Sequence, residues 1–214
     1  MKIIIRHEES KDFRKVEEVA REAFYNLYVP GCVEHLVIHN LRDSKDYIKE
    51  LSYIIEVDGE VAGSIFYTHA KIIGWDGVET KTISFGPVSI HPKYHRKGLG
   101  RKLITHSIEK AKELGFNAIL TLGYPYHYEP YGFKGGKKYN VAMADGNFYK
   151  GLLVLPLYEK ALEGVSGYAE FTDVFEIETS QDEIDKFDSL FPPKKKQIQE
   201  SQRIFEKACA ELDN

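Results

Sequence analysis

The sequence is short of everything that would hold a small fold together by cross-links. Two of its 214 residues are cysteine, Cys32 and Cys209, and neither sits in a Cys-x-x-Cys or other metal-type spacing. This excludes a disulfide framework and a zinc centre; no metal is expected, and two solitary thiols fit a reducing compartment. Long apolar runs are missing too. Ile3, Ile4 and Ile5 stand alone before charge returns at Arg6, too short for a signal peptide, and no later run approaches the about 20 residues of a membrane span. A soluble, cytoplasmic protein without a membrane partner is expected. Nor does one sign of charge dominate: 29 Lys and Arg against 33 Asp and Glu leave a formal net charge of −4. Sequence-independent nucleic-acid binding needs a basic surface, so DNA and RNA are not expected partners. The one tryptophan, Trp75, lies beside a turn and reads as a structural anchor.

What is present is core material. Hydrophobic residues make up 43% of the chain, including 14 Tyr and 12 Phe, enough for a substantial core, and the length suits one large domain or one domain plus a small appendage. Residues 2–6 read as a strand. Ser10 is placed to cap a helix carrying Phe13, Val16, Val19, Ala20, Ala23 and Phe24 at helical spacing, broken by Pro30-Gly31. A second, less regular helical stretch covers about 33–50. From Leu51 the period becomes two, and Asp58-Gly59 divides 51–57 from 60–70 as a hairpin. Trp75-Asp76-Gly77 marks another turn. Thr80–Ile90 is the next strand, with Gly86-Pro87 inside it; proline gives no ladder hydrogen, so a bulge or splay is expected there. Gly98–Leu114 is a helix with Leu99, Leu103, Ile108, Ala111 and Leu114 on one face, closed by Gly115. Strands follow at 118–122, 138–143, 151–156 and 168–177. After Pro192-Pro193, Lys194-Lys195-Lys196 reads as a solvated helix start. Ile198, Ser201, Phe205, Ala208 and Leu212 then mark a terminal helix packing on the domain, its apolar face also able to serve a homodimer.

Two segments carry chemistry. The first is Val88-Ser89-Ile90-His91-Pro92-Lys93-Tyr94-His95-Arg96-Lys97-Gly98-Leu99-Gly100, a strand feeding a helix. First-turn amides of a helix lack internal partners and bind anions, and glycine at 98 and 100 lets a diphosphate approach the backbone. Arg96, Lys97, Arg101 and Lys102 add positive charge. If the splay leaves Val88–Ile90 incompletely paired, their backbone groups are free to bond an extended amide. Neither a Walker loop nor a Gly-x-Gly-x-x-Gly fingerprint occurs. The second segment, Leu122-Gly123-Tyr124-Pro125-Tyr126-His127-Tyr128-Glu129-Pro130-Tyr131-Gly132-Phe133, is an aromatic wall by composition.

His95-Arg96-Lys97-Gly98-Leu99-Gly100 at this junction resembles the signature Gln/Arg-x-x-Gly-x-Gly/Ala of the GNAT superfamily of acyl-CoA-dependent N-acetyltransferases. His95 departs from the usual Gln or Arg; an imidazole still donates one hydrogen bond but lacks a fixed charge. The Leu-Gly start and Tyr-x-x-x-Gly-Phe end of the aromatic segment are similar to the bacterial YhbS-like branch, with His127 in place of a frequent first tyrosine. Gly-Leu-Leu-Val-Leu-Pro at 151–156 resembles that branch too.

The resemblance implies an α/β (α+β) fold: a mixed, mostly antiparallel sheet flanked by helices and splayed at the coenzyme site. It spans residues 1–178, with 179–214 as a helical extension on the same domain. It implies acetyl-CoA as acyl donor, held by Val88, Ser89, Ile90, His95, Arg96, Lys97, Gly98, Leu99 and Gly100. The implied reaction is direct attack by an amine, small molecule or protein amino group, with Tyr128 as general acid for the leaving thiolate. A phenol is protonated at neutral pH and donates without special tuning. His69, Ser84, His91, His127 and Glu129 lie near enough to serve as base, and none is singled out. The alternative is a non-catalytic acyl-CoA sensor or scaffold that keeps only the cradle.

Overall fold

The computed structural model describes residues 1–172, 174 and 180–213. Its strands are β1 (Ile3–His7), β2 (Tyr53–Val57), β3 (Glu60–Gly74), β4 (Glu79–Ile90), β5 (Ala118–Leu122), β6 (Lys134–Gly135), β7 (Val141–Ala142), β8 (Leu152–Pro156) and β9 (Gly167–Glu170). Its helices are α1 (Phe13–Phe24), α2 (Glu34–Leu41), α3 (Leu99–Glu113), α4 (Pro125–Tyr128), α5 (Gln181–Asp188) and α6 (Glu200–Cys209). The strands form one sheet in the order β1-β2-β3-β4-β5-β8-β6, with β9 pairing β3 and β7. All pairs are antiparallel except β4–β5 and β7–β9, the mixed, mostly antiparallel sheet expected.

Strand alternation sorts the core onto two faces. Ile54, Val61 and Phe66 meet Val16, Val19, Ala20, Ile38 and Leu41 of α1 and α2. Ile55, Ile65 and Tyr67 point the other way and meet Leu99, Leu103, Ile108 and Ala111 of α3. The buried Tyr67 hydroxyl bonds Ser107 Oγ at 3.0 Å, fixing α3 over the sheet. Asp58 and Gly59 both have positive φ, +52° and +87°, as a two-residue type I′ hairpin loop requires.

Several expectations need correction. The helical stretch placed at 33–50 is only Glu34–Leu41, followed by a turn in which Ser44 Oγ accepts from Asp46 N; short polar side chains divert backbone groups from a helix. The strand expected at 138–143 is shortened to Val141–Ala142 by a 3₁₀ turn over Gly136–Tyr139. The strand expected at 168–177 is Gly167–Glu170, and residues 173 and 175–179 lie outside the described ones. Leu114, placed on the inner face of α3, is 52% exposed because it caps the helix rather than continuing it. Ile198 precedes α6 and is 90% exposed, whereas Leu212 lies beyond it and bridges Tyr149.

The C-terminal segment is knotted to the α1–α2 connection. The buried Arg21 guanidinium grips Asp188 at 2.6 Å and donates to the Pro192 carbonyl. Asn26, in the left-handed region at φ +62°, accepts from Gly31 N and Gln197 N through Oδ1 and donates to the Lys195 carbonyl. Gln202 of α6 donates to the Asn26 carbonyl. Beyond α6, Lys150 N and Asp213 N bond Glu211 O and Phe148 O, carrying the chain across to the β8 side.

Candidate active site

The site begins where β4 loses its neighbour. β4 and β5 pair only at Ile83↔Ile119 and Ser84↔Leu120. On the other side the β3–β4 register shifts between Ile65 and Tyr67, opposite Phe85–Val88, around the cis Gly86–Pro87 bond. Past Ser84 the β4–β5 ladder ends, with Thr121 Oγ1 donating to the Phe85 carbonyl at 3.3 Å, and β4 stays paired with β3. His91 N donates to Ala62 O on that inner side. Backbone groups alternate along an antiparallel ladder, so those of Ile90 and Val88 face the free edge. The Ile90 carbonyl is taken there by His95, which leaves the Ile90 N–H and the Val88 groups on that edge. Ser89 faces inward, its buried hydroxyl 2.9 Å from Ser64 Oγ, and serves to hold β4 on β3.

From that edge the chain enters α3. His91 Nδ1 accepts from Lys93 N and so caps the turn at Pro92–Tyr94; burial lowers its pKa, which keeps the accepting nitrogen unprotonated. His95 Nε2 lies 2.9 Å from the Ile90 carbonyl. A carbonyl only accepts, so Nε2 carries the hydrogen, and His95 staples the loop to the strand end. Arg96 and Gly98 are left-handed, φ +60° and +75°, with Gly98 as the residue before α3. A Cβ on Gly100 would meet only Ile90 Cγ1 at 3.6 Å, ordinary contact. The protein's own packing does not demand glycine at 100, and the space is left for something else. Lys97 Nζ rests 5.2 Å from the Tyr94 ring centroid. Arg101 and Lys102 are exposed and flank a groove with Gly98, Thr105, His106 and Glu109.

The aromatic segment closes the other end. Pro125 and the following residues form a single helical turn, α4, ending at Tyr128. The Tyr128 ring lies 5.5 Å from Phe85, at the splay, and 5.8 Å from Phe133. Gly123 lets it in: a Cβ there would stand 2.6 Å from Tyr128 Cε2. Burial, then Tyr131, pushes the Tyr128 hydroxyl up to about 12, so the phenol is protonated at any ordinary pH.

Tyr28, from the α1–α2 connection, was not foreseen. Its hydroxyl is pushed up by burial and then by Tyr128, Glu34, Tyr124 and Tyr126. Its ring stacks on Phe205 of α6 at 4.2 Å, and Phe205 stands edge-on to Tyr124. Nothing in the sequence except the Pro30-Gly31 break marked this loop. Among the bases left open, His69, His127 and Glu129 are exposed and Ser84 is buried; burial lowers the His127 pKa.

The fold thus brings together a central strand splayed from its neighbour, a left-handed glycine before a helix start and a half-buried phenol. The sequence profile of the Acetyltransferase (GNAT) family covers residues 14–127. The chain belongs to this family.

The GNAT chain is 25% identical over 174 residues to the uncharacterized N-acetyltransferase YhbS of Escherichia coli K12, covering 81% of this chain and 98% of that one. The crystal structure of E. coli YhbS in complex with CoA has a TM-score of 0.73 at 22% identity, covering 84% of this chain and 94% of the other. A GNAT family acetyltransferase from Brucella melitensis, in complex with acetyl-CoA, has a TM-score of 0.66 at 24% identity, covering 81% and 98%. At such identities the two structures establish the fold. Among the described residues no helix is long and apolar enough to cross a membrane.

Proposed function

We propose that this GNAT protein transfers an acetyl group from acetyl-CoA to an amine by direct attack, with Tyr128 as general acid. The observation that carries the reading is the free edge of β4 at Val88 and Ile90 running straight into the left-handed Gly98 and α3. The residues suit the donor. The first-turn amides of α3 face an anion with the helix dipole behind them, Gly100 leaves them uncovered, and Arg96, Lys97, Arg101 and Lys102 supply charge. The Val88 backbone groups and the Ile90 N–H offer strand-type bonds to the amide-bearing arm, while His95 occupies the Ile90 carbonyl and holds the loop in register.

When bound, acetyl-CoA supplies an acetyl group activated as a thioester. Ile90 N–H lies on the free edge as donor to the carbonyl oxygen where negative charge develops. Tyr128 delivers its proton to the departing sulfur. The burial that keeps that proton on the phenol also makes a sulfur leaving beside it more basic, because desolvation disfavours both anions.

The test is thiol release from acetyl-CoA with a panel of primary amines. Tyr128→Phe keeps acetyl-CoA affinity and lowers kcat by about 10²–10⁴-fold, the range for a positioned acid. A wild-type protein that binds acetyl-CoA yet releases no thiol with any amine is the non-catalytic sensor instead.

A further inference from the structure

The C-terminal helix reaches the turn that carries Tyr128. α6 is fastened to two different parts of the fold, one on each side of Phe205. Before that residue, Gln202 Nε2 donates to the Asn26 carbonyl at 3.0 Å, on the α1–α2 connection. After it, Glu211 O accepts from Lys150 N at 2.9 Å and Asp213 N donates to Phe148 O at 2.8 Å, on the approach to β8. Residues three apart on a helix share a face, so the bond of Gln202 turns Phe205 toward the α1–α2 connection as well. There the half-buried Phe205 ring stacks on Tyr28 at 4.2 Å, with 28° between the rings.

The same ring meets the aromatic segment. Phe205 stands edge-on to Tyr124 at 6.3 Å and 68°, which sets the positive edge of one ring against the negative face of the other. Tyr124 is the residue from which α4 starts, and its carbonyl accepts from His127 N at 3.0 Å. Ring contacts continue from Tyr124 to His127 at 6.0 Å and from His127 to Tyr128 at 6.4 Å. α4 needs support of this kind. It is four residues long and has no side-chain cap, and a single helical turn does not hold itself in water. From within, Phe85 and Phe133 touch the Tyr128 ring. On the outside, Tyr126 stacks on Tyr124 at 5.3 Å but is itself 64% exposed. Of the rings around Tyr124, Tyr126 and His127 belong to its own segment, and Phe205 alone comes from another element, among the described residues.

We propose that Phe205 is a positioning residue for the acid: α6 braces the α4 turn and so holds the Tyr128 hydroxyl where its proton is delivered. The kinetic half of this proposal rests on the acyltransferase reading above. The brace comes from outside residues 14–127, the span of the family profile, and from outside the coenzyme cradle. It therefore governs the chemical step and leaves donor binding alone.

The experiment uses the full-length protein and two readouts. Placement is followed by ¹⁹F NMR of the CoA-loaded protein with 4-fluorophenylalanine in place of Tyr128, which puts one fluorine where the hydroxyl stood. Turnover is followed by thiol release from acetyl-CoA, with n-butylamine, phenethylamine and Nα-acetyl-lysine as the amine panel. Phe205→Ala should move or split the fluorine resonance. It should also lower kcat by about five- to tenfold, the factor to which a ring pair corresponds, with KM for acetyl-CoA unchanged. Phe205→Tyr, which keeps the ring, should restore both. Phe205→Leu keeps apolar volume without a ring and carries the same comparison if Phe205→Ala does not fold. In the Tyr128→Phe background, Phe205→Ala should lower kcat no further. A resonance unmoved in Phe205→Ala and in Phe205→Leu overturns the proposal whatever the melting temperature does, because Phe205 then only packs. A moved resonance with kcat within about twofold of wild type overturns it too. A moved resonance beside a wild type that releases no thiol with any amine of the panel leaves the brace standing and removes the acyltransferase reading.

Discussion

Replacing Gly123 by alanine tests whether the placement of Tyr128, and not just its presence, matters. The added Cβ would lie 2.6 Å from Cε2 of the ring, where ordinary contact begins at 3.4 Å. The ring must therefore retreat by about 1 Å, the scale of misplacement that costs a catalytic group about 10²-fold. The neighbours leave little alternative. Gly123 N is bonded to the Gly151 carbonyl at 2.9 Å, so its backbone is held. Phe85 and Phe133 line other sides of the ring. Gly123 does not lie in the left-handed region, so alanine brings no backbone penalty of its own. Overpacking costs about 1–3 kcal/mol, which a thermal melt will register without unfolding a well-packed domain. The expected outcome in the thiol-release assay is a kcat about 100-fold below wild type with an unchanged KM for acetyl-CoA, since the cradle is elsewhere. The double variant with Tyr128→Phe should be no slower than Tyr128→Phe alone, because both changes act through one hydroxyl. A folded Gly123→Ala protein with kcat within threefold of wild type would refute the reasoning.

Three further outcomes are expected. Because burial holds the Tyr128 phenol up to about 12, the acid form persists on the alkaline side and kcat stays level to about pH 10; a falling limb near the ordinary tyrosine value that disappears in Tyr128→Phe contradicts this. Gly98→Ala should cost about 1 kcal/mol of stability for its left-handed backbone, whereas Gly100→Ala should melt like wild type and weaken CoA binding; equal CoA affinity in Gly100→Ala would remove that residue from the cradle. His35 is fully buried between Phe187 and Phe191, and burial, opposed by Asp188, lowers its pKa from 6.5 to about 4. Its Nε2 is 3.2 Å from Asp188 Oδ1 but out of line for a hydrogen bond. The folded state resists protonation, so its contribution is full above about pH 6.5 and declines by about 3 kcal/mol as pH falls to about 4. Urea midpoints of His35→Leu should lose this slope, and an unchanged slope would assign it elsewhere.

The splay of β4 and the start of α3 were legible in the sequence because their determinants are local. Gly86-Pro87 interrupts a ladder where it stands, and Gly98 announces a backbone only glycine adopts easily. Tyr128 was legible through its spacing to Gly132-Phe133. Tyr28 and Phe205 were not, because they meet each other and Tyr124 from separate parts of the chain and no spacing encodes that meeting. His95 was expected to face phosphate, and its bond to the Ile90 carbonyl depends on how far the loop curls back, which the two left-handed residues after it decide.

The Asn26 knot has a consequence for the order in which the molecule can be finished. Its bonds and those of Tyr25 reach 169 residues along the chain, to the carbonyls of Lys195 and Lys194. Strands β3 and β4, the α3 start and Tyr128 all lie within residues 60–128, and β9, which pairs β3, ends at Glu170. The loop bearing Tyr25, Asn26 and Tyr28 has to wait. On a growing chain it is made before β2 to β9, yet it cannot take these bonds until residues 194–202 exist. Long-range closures of this kind come late and come slowly. The bonds that fix the Tyr28 loop are therefore available only after residues 3–170, which carry β1 to β9, have been made.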